Sequence, residues 1–321
     1  MMSTRRHFIG LALAGAAVAG TPARAGAGAV EVVATTGMIA DAARQVGGDL
    51  VAVKALMGPG VDPHSYRQTR SDIVALTRAD LVLWHGLYLE AQMEELLLKL
   101  ADRGHVVAVG EAVPKGLLIG HEDYDGKFDP HVWMVPEVWA HVVRVVERAL
   151  REAAPEHAQS FAANARAHLA EIDRLGSYAE RVLATVPEPA RVLLTAHDAF
   201  GYFGRAHGYE VIGIQGISTE SEAGLDRIKT LVDMLVARGI GAVFVESSVS
   251  DRNVRALVEG AAAQGHALRI GGELYSDAMG EPGSYEGTYI GMIDHNVTTI
   301  AAALGGAVPA RGMDGKLAAG S

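Results

Sequence analysis

The sequence predicts an α/β protein of two lobes, each a mostly parallel sheet flanked by helices, with one long rigid helix joining them. Two observations carry this expectation. Short apolar, β-branched runs alternate with helical patterns in two separate blocks, and a stretch rich in Ala, Glu, Arg and Leu lies between the blocks. With 321 residues, 49% hydrophobic and 21% charged, the chain has apolar material for two cores and too few charges for wholesale disorder.

Taken in order, residues 1–25 read as an export signal. "MMSTRRHFIG LALAGAAVAG TPARA" has a basic start, an apolar middle from Phe8 to Gly20 and the small-residue pattern Ala23-Arg24-Ala25 that suits cleavage. Arg5 and Arg6, followed by His7 and Phe8, resemble a twin-arginine signal, whose route carries folded proteins. The apolar run is too short and too rich in Ala and Gly to span a bilayer.

Removing the signal's three arginines from 28 basic residues, against 38 acidic ones, leaves a net charge of −13. That acidity argues against nucleic acid and anionic membranes as partners. The chain contains no cysteine, which excludes disulfides, thiolate metal sites and cysteine nucleophiles, and leads us to expect no lipid anchor on an N-terminal cysteine. The expected product is soluble, exported and periplasmic.

The first lobe is expected over 26–154, with strands at 29–36, 50–57, 80–86 and 105–110 and a helix over 88–103. These strand runs are continuously apolar rather than alternating, as in parallel strands covered on both faces. The linking helix is expected over 155–186. Pro155 fits its first turn, Pro187 its stop, and Gly176 is its single glycine. At ~1.5 Å per residue it reaches roughly 45–50 Å. The second lobe, 187–305, has strand candidates at 190–198, 209–216, 241–247 and 266–272, and helices near 224–238, 251–264 and 284–304. The Gly/Ala-rich tail, 306–321, is expected to be flexible.

Of 13 histidines, position singles out three. His64 follows a strand through "GPGVDPH", His131 sits in "KFDPHVWM" after the first lobe's last strand, and His197 ends the run "RVLLTAHDAF". Strand exits are where parallel α/β sheets bind ligands. In both Asp-Pro-His tripeptides the proline stiffens the loop that presents the imidazole. The aspartates, Asp62 and Asp129, are placed to hold backbone amides or to accept the ring's second N–H. A fourth ligand is sought at a second-lobe strand exit, where Glu246, Glu273 and Asp277 are open choices.

In order along the chain, "GPGVDPHSY", "DPHVWM", "TAHDAFGYF", "GISTESEAG" and "LYSDAMG" resemble the metal-binding solute-binding proteins of bacterial zinc and manganese ABC importers, the group (cluster A-I, or cluster 9) with a rigid interlobe helix. The likeness covers about 30–305. It implies four metal ligands, His64, His131, His197 and Asp277, with Glu220 and Glu246 as supporting residues and Ser218, Thr219 and Glu220 shaping the cleft floor. It also implies a monomer that delivers its metal to an ABC permease.

Many manganese-binding members carry glutamate where His197 stands, so the histidine tilts the reading toward Zn2+. Mn2+, or iron, is the alternative cargo. Three neutral imidazoles and one carboxylate suit zinc's preference for nitrogen and four donors. Many zinc members carry a long His/Asp-rich loop before the second ligand. Here only 119–131 occupies that place, and His121, Glu122, Asp123 and Asp125 read as a solvated acidic loop before a metal-collecting one. An exported zinc hydrolase and a metal-binding adhesin are the competing functions. The chain has no HExxH or Gly-x-Ser-x-Gly to support an enzyme.

Overall fold

The computed structural model describes residues 28–102, 104–121, 124–221 and 223–318. The expected signal, Glu122 and Asp123 lie outside the described residues.

In the first lobe β1 (Val30–Ala34), α1 (Gly37–Gly47), β2 (Val51–Ala55), α2 (Arg70–Arg78), β3 (Leu81–Trp84), α3 (Glu94–Ala101) and β4 (Val106–Ala108) follow one another. The four strands form one parallel sheet in the order β2-β1-β3-β4. The helix expected over 88–103 begins only at Glu94. Gly86, Leu87 and Tyr88 all take left-handed backbone, with φ of 77°, 52° and 69°, which no α-helix accommodates. Carboxylates hold this segment in place. Glu90 accepts the N–H groups of His85 and Gly86, and Glu111 accepts that of Leu87.

α4 (Pro136–Ala153) starts on a proline at its first turn and buries Val138, Trp139, Val142, Val143, Val146 and Leu150 at helical spacing. α5 (Ala158–Leu183) is the linking helix, with 26 residues and so about 39 Å long. It is shorter than expected because Pro155–His157 forms a tight 3-10 turn before it and the chain turns off at Ala184. Its buried face, Phe161, Ala165, Ile172, Leu175, Tyr178 and Val182, recurs along the whole length and packs on α1 and α4 of the first lobe.

The second lobe contains β5 (Val192–Thr195), α6 (Gly201–His207), β6 (Glu210–Gly213), α7 (Leu225–Arg238), β7 (Ala242–Glu246), α8 (Arg252–Ala263), β8 (Arg269–Leu274) and α9 (Tyr289–Ala303). Its strands form two parallel pairs, β5–β6 and β7–β8, with β5 alongside β7. α9 packs on the other end of α5. One hydrophobic core therefore continues from β1 and α1 through α4 and α5 to Tyr289, Met292 and Ile300. A second cluster around Leu194, Leu235, Val243 and Val254 belongs to the second lobe alone. A shared core of this kind resists large rotation of one lobe against the other.

The expectation of a flexible tail fails for residues 306–318. Leu317 is buried, and the Arg174 guanidinium binds Asp314 at 2.6 and 3.1 Å. The cause is Asp294, a carboxylate inside α9 that accepts the Met313 N–H and the Tyr285 and Thr298 hydroxyls. A buried carboxylate needs such donors, and the tail supplies one. Gly312 makes the approach possible. Its φ is +70°, and a Cβ there would lie 2.5 Å from the Asp294 carboxylate. Gly312→Ala is expected to cost about 1–2 kcal/mol of stability, measured by urea unfolding.

Candidate metal centre

The Asp-Pro-His tripeptide folds the same way twice. Asp62 Oδ1 accepts the His64 N–H and Asp129 Oδ1 accepts the His131 N–H, each at 2.9 Å, so both loops are closed by the aspartate side chain two residues back. Each turn fixes where its imidazole stands. His64 comes from the connection after β2, His131 from the loop before α4, His197 from the exit of β5 and Asp277 from the exit of β8.

These four side chains meet in the cleft. Their candidate donor atoms lie within 4.8 Å of one another, and all four residues are buried. His131 Nε2 is 3.4 Å from His64 Nε2, 3.3 Å from His197 Nε2 and 3.2 Å from Asp277 Oδ1. Asp277 Oδ2 is 3.2 Å from His197 Nε2 and 3.8 Å from His64 Nε2. A tetrahedral zinc with bonds of about 2.0–2.1 Å separates its donors by about 3.3–3.4 Å, close to most of these spacings. Neither Asp277 oxygen has a hydrogen-bond partner, although both are buried. An orphaned carboxylate facing three imidazole nitrogens has the chemistry to hold a divalent transition metal.

Behind the converging nitrogens, two rings are held by carboxylates. Asp129 Oδ1 lies 2.7 Å from His131 Nδ1, and Glu246 Oε2 lies 2.5 Å from His197 Nδ1. Glu246 Oε1 also accepts the His197 N–H at 2.8 Å. A carboxylate on Nδ1 fixes the proton there and leaves Nε2 free to face a metal. Asp62 acts differently. Its second oxygen accepts Ser65 Oγ and, across the cleft, Thr219 Oγ1 at 2.6 Å, so it holds the loop and not the His64 ring.

The electrostatics follow from these contacts. Burial works against charge on His131, but Asp129 and Asp277 outweigh it and push the ring up to about 9. The same contest, with Glu246 and Asp277 prevailing over burial, raises His197 well above the usual range. Burial prevails at His64, which falls to about 4 with Asp277 opposing. Asp277 is held well below the carboxylate range because His197 and His131 outweigh its burial. Protons on His131 and His197, unlike His64, would thus compete with a cation for the ring nitrogens.

Glu220, expected beside the ligands, is exposed at the cleft rim, where its carboxylate accepts Gln92 Nε2 of the first lobe at 2.5 Å. The loop after β6 carries it outward, so Thr219 and Glu220 bridge the lobes at the rim and do not form a floor. Glu273 is likewise turned away, with its carbonyl accepting from His295. Sequence reasoning passed over His85, although it stands at the exit of β3 as His197 stands at the exit of β5. Its buried Nε2–H donates to the Pro130 carbonyl at 2.8 Å and so supports the His131 loop. Also passed over was Glu90, a buried carboxylate that accepts the His85 and Gly86 N–H groups and the Thr35 hydroxyl.

Burial pushes the Glu90 carboxyl up to about 7, against the donors Thr35, His85 and Gly86. Because its folded value exceeds the ordinary one of 4.5, the folded state binds more protons between pH 4.5 and 7. Stability from this group therefore falls as pH rises through that window, by at most about 1.4 kcal/mol per pH unit. Glu90→Gln is expected to flatten that slope in urea melts across the window.

A two-lobed parallel α/β fold with a rigid helix between the lobes, and a buried His3Asp cluster between them, defines a metal-binding solute-binding protein. Residues 32–303 match the family described as "ZnuA: Zinc-uptake complex component A periplasmic", and the chain belongs to that family. It is 49% identical over 276 residues to the manganese-binding lipoprotein MntA of Bacillus subtilis (strain 168), covering 86% of this chain and 90% of the relative. It is 45% identical over 273 residues to the zinc-binding protein TroA of Treponema pallidum (strain Nichols), covering 85% and 88%. The solved structure of the periplasmic zinc-binding protein TroA superposes with a TM-score of 0.83, covering 86% of this chain and 99% of that one. The chain is thus a solute-binding component of a metal-uptake system.

Proposed function

We propose that the protein captures Zn2+ in the periplasm and delivers it to the membrane permease of an ABC importer, with His64, His131, His197 and Asp277 as the metal's ligands. The observation that carries this reading is the convergence of three imidazole Nε2 atoms on a buried carboxylate that has no other partner. Three nitrogens and one oxygen at these spacings favour zinc, and the Irving–Williams order places zinc above manganese at a common site. The metal is cargo and the protein works as a monomer. An enzymatic role is disfavoured because all four donors point at one centre and none is left over for substrate chemistry. Among the described residues no helix is long and apolar enough to cross a membrane.

Mn2+ is the second reading, and one observation favours it. Both Asp277 oxygens face the ligand nitrogens, Oδ1 toward His131 and Oδ2 toward His197 and His64, so a bidentate carboxylate can raise the coordination number. Metal analysis of protein purified from the periplasm, followed by competition titration of Zn2+ against Mn2+, decides between them. One tightly held zinc per chain, not displaced by equimolar manganese, supports the first reading. Manganese in the purified protein and displacement of zinc by manganese overturn it.

A further inference from the structure

The geometry points to Trp133 as a positioning residue for metal binding: its indole N–H, bonded to the Ser276 carbonyl, locks the Asp277 carboxylate of the second lobe against the His131 imidazole of the first. The inference rests on His131 and Asp277 being ligands, as proposed above. Trp133 stands two residues after His131 and is completely buried. Its Nε1–H donates across the cleft to the Ser276 carbonyl at 2.7 Å, one residue before Asp277. The indole also meets the His131 ring at 5.2 Å and the His85 ring at 5.0 Å, both edge to face. One side chain thus touches a first-lobe ligand and the main chain beside a second-lobe ligand.

Its main chain is tied across as well. The Tyr289 hydroxyl, at the start of α9, donates to the Trp133 carbonyl at 2.8 Å. On the other side of Ser276, the Asn296 amide clamps Tyr275, accepting its N–H at 2.9 Å and donating to its carbonyl at 2.7 Å. Residues 275–277 are therefore held at the carbonyl before Asp277 by one lobe and at Tyr275 by the other. The outcome is the 3.2 Å approach of Asp277 Oδ1 to His131 Nε2. Trp139 supplies the contrast. It is equally buried and stacks on Tyr289, but its indole N–H has no partner. An indole that only fills the core does without an acceptor.

Trp133→Phe keeps an aromatic ring against His131 and His85 but leaves the Ser276 carbonyl without its donor. Loss of one net hydrogen bond corresponds to about a tenfold change. The test compares wild type, Trp133→Phe and Trp139→Phe for zinc release into excess chelator, the visible spectrum of the cobalt-substituted site, and melting temperature. Trp133→Phe is expected to release zinc about tenfold faster and to alter the cobalt spectrum, while Trp139→Phe keeps both at wild-type values whatever its melting temperature. Tyr289→Phe, which frees the Trp133 carbonyl without removing a ring, is expected to move release in the same direction, and it serves alone if Trp133→Phe does not fold. Wild-type release and spectrum in Trp133→Phe, or equal changes in both tryptophan variants, overturn the inference. A wild-type protein that binds no zinc overturns the functional reading itself, and this inference with it.

Discussion

His131→Ala is expected to lower zinc affinity by a few hundredfold to a thousandfold, measured by competition with a chelating dye. Four-ligand zinc sites bind with about 10–16 kcal/mol, so one ligand carries about 3–4 kcal/mol. His131 is the proposed ligand at the centre of the cluster, with its Nε2 within 3.4 Å of the nearest atom of each of the other three side chains. Its removal also strands Asp129, which accepts both the His131 ring and main-chain N–H groups, as a buried carboxylate with one donor fewer. His64→Ala is expected to do less structural harm, because among the described residues no carboxylate holds the His64 ring from behind.

Glu246→Gln is expected to lower zinc affinity by about 10–100-fold, the usual effect of losing a carboxylate behind a ligating histidine. Glutamine still accepts the His197 main-chain N–H, so the fold is retained and the change falls on the ring. The pH dependence carries the sharper signature. Glu246 raises the His197 ring pKa, which strengthens the competing proton. Without that charge the ring loses its proton at lower pH, and zinc affinity should fall less steeply between pH 7.5 and 5.5 than in the wild type. A variant with wild-type affinity and an unchanged pH slope would remove Glu246 from the site.

The parts legible in the sequence were those that local pattern controls. Continuous Val- and Leu-rich runs marked the strands of both lobes, and strand exits drew attention to three of the four converging side chains. Asp277 was one of three open acids until a family resemblance singled it out. What stayed hidden depends on contacts distant along the chain. Nothing local to Glu246 says that it reaches His197, since that pairing comes from β7 lying beside β5. Trp133 was visible in DPHVW, but its acceptor is the carbonyl of Ser276 in the other lobe. The tail looked loose because Gly and Ala carry no packing signal. Its order comes from Asp294, a carboxylate buried in α9 that needs a donor. The delayed start of α3 has a similar origin, in left-handed Leu87 and Tyr88 held by Glu90 and Glu111.

We propose a single zinc seat in the cleft between the lobes, and anomalous diffraction at the zinc edge, from crystals loaded with one equivalent of zinc, tests it most directly. The predicted result is one peak per chain, bonded to Nε2 of His64, His131 and His197 and to the Asp277 carboxylate. A peak elsewhere on the chain, or one at the cleft that lacks His131 or Asp277 among its ligands, would contradict it.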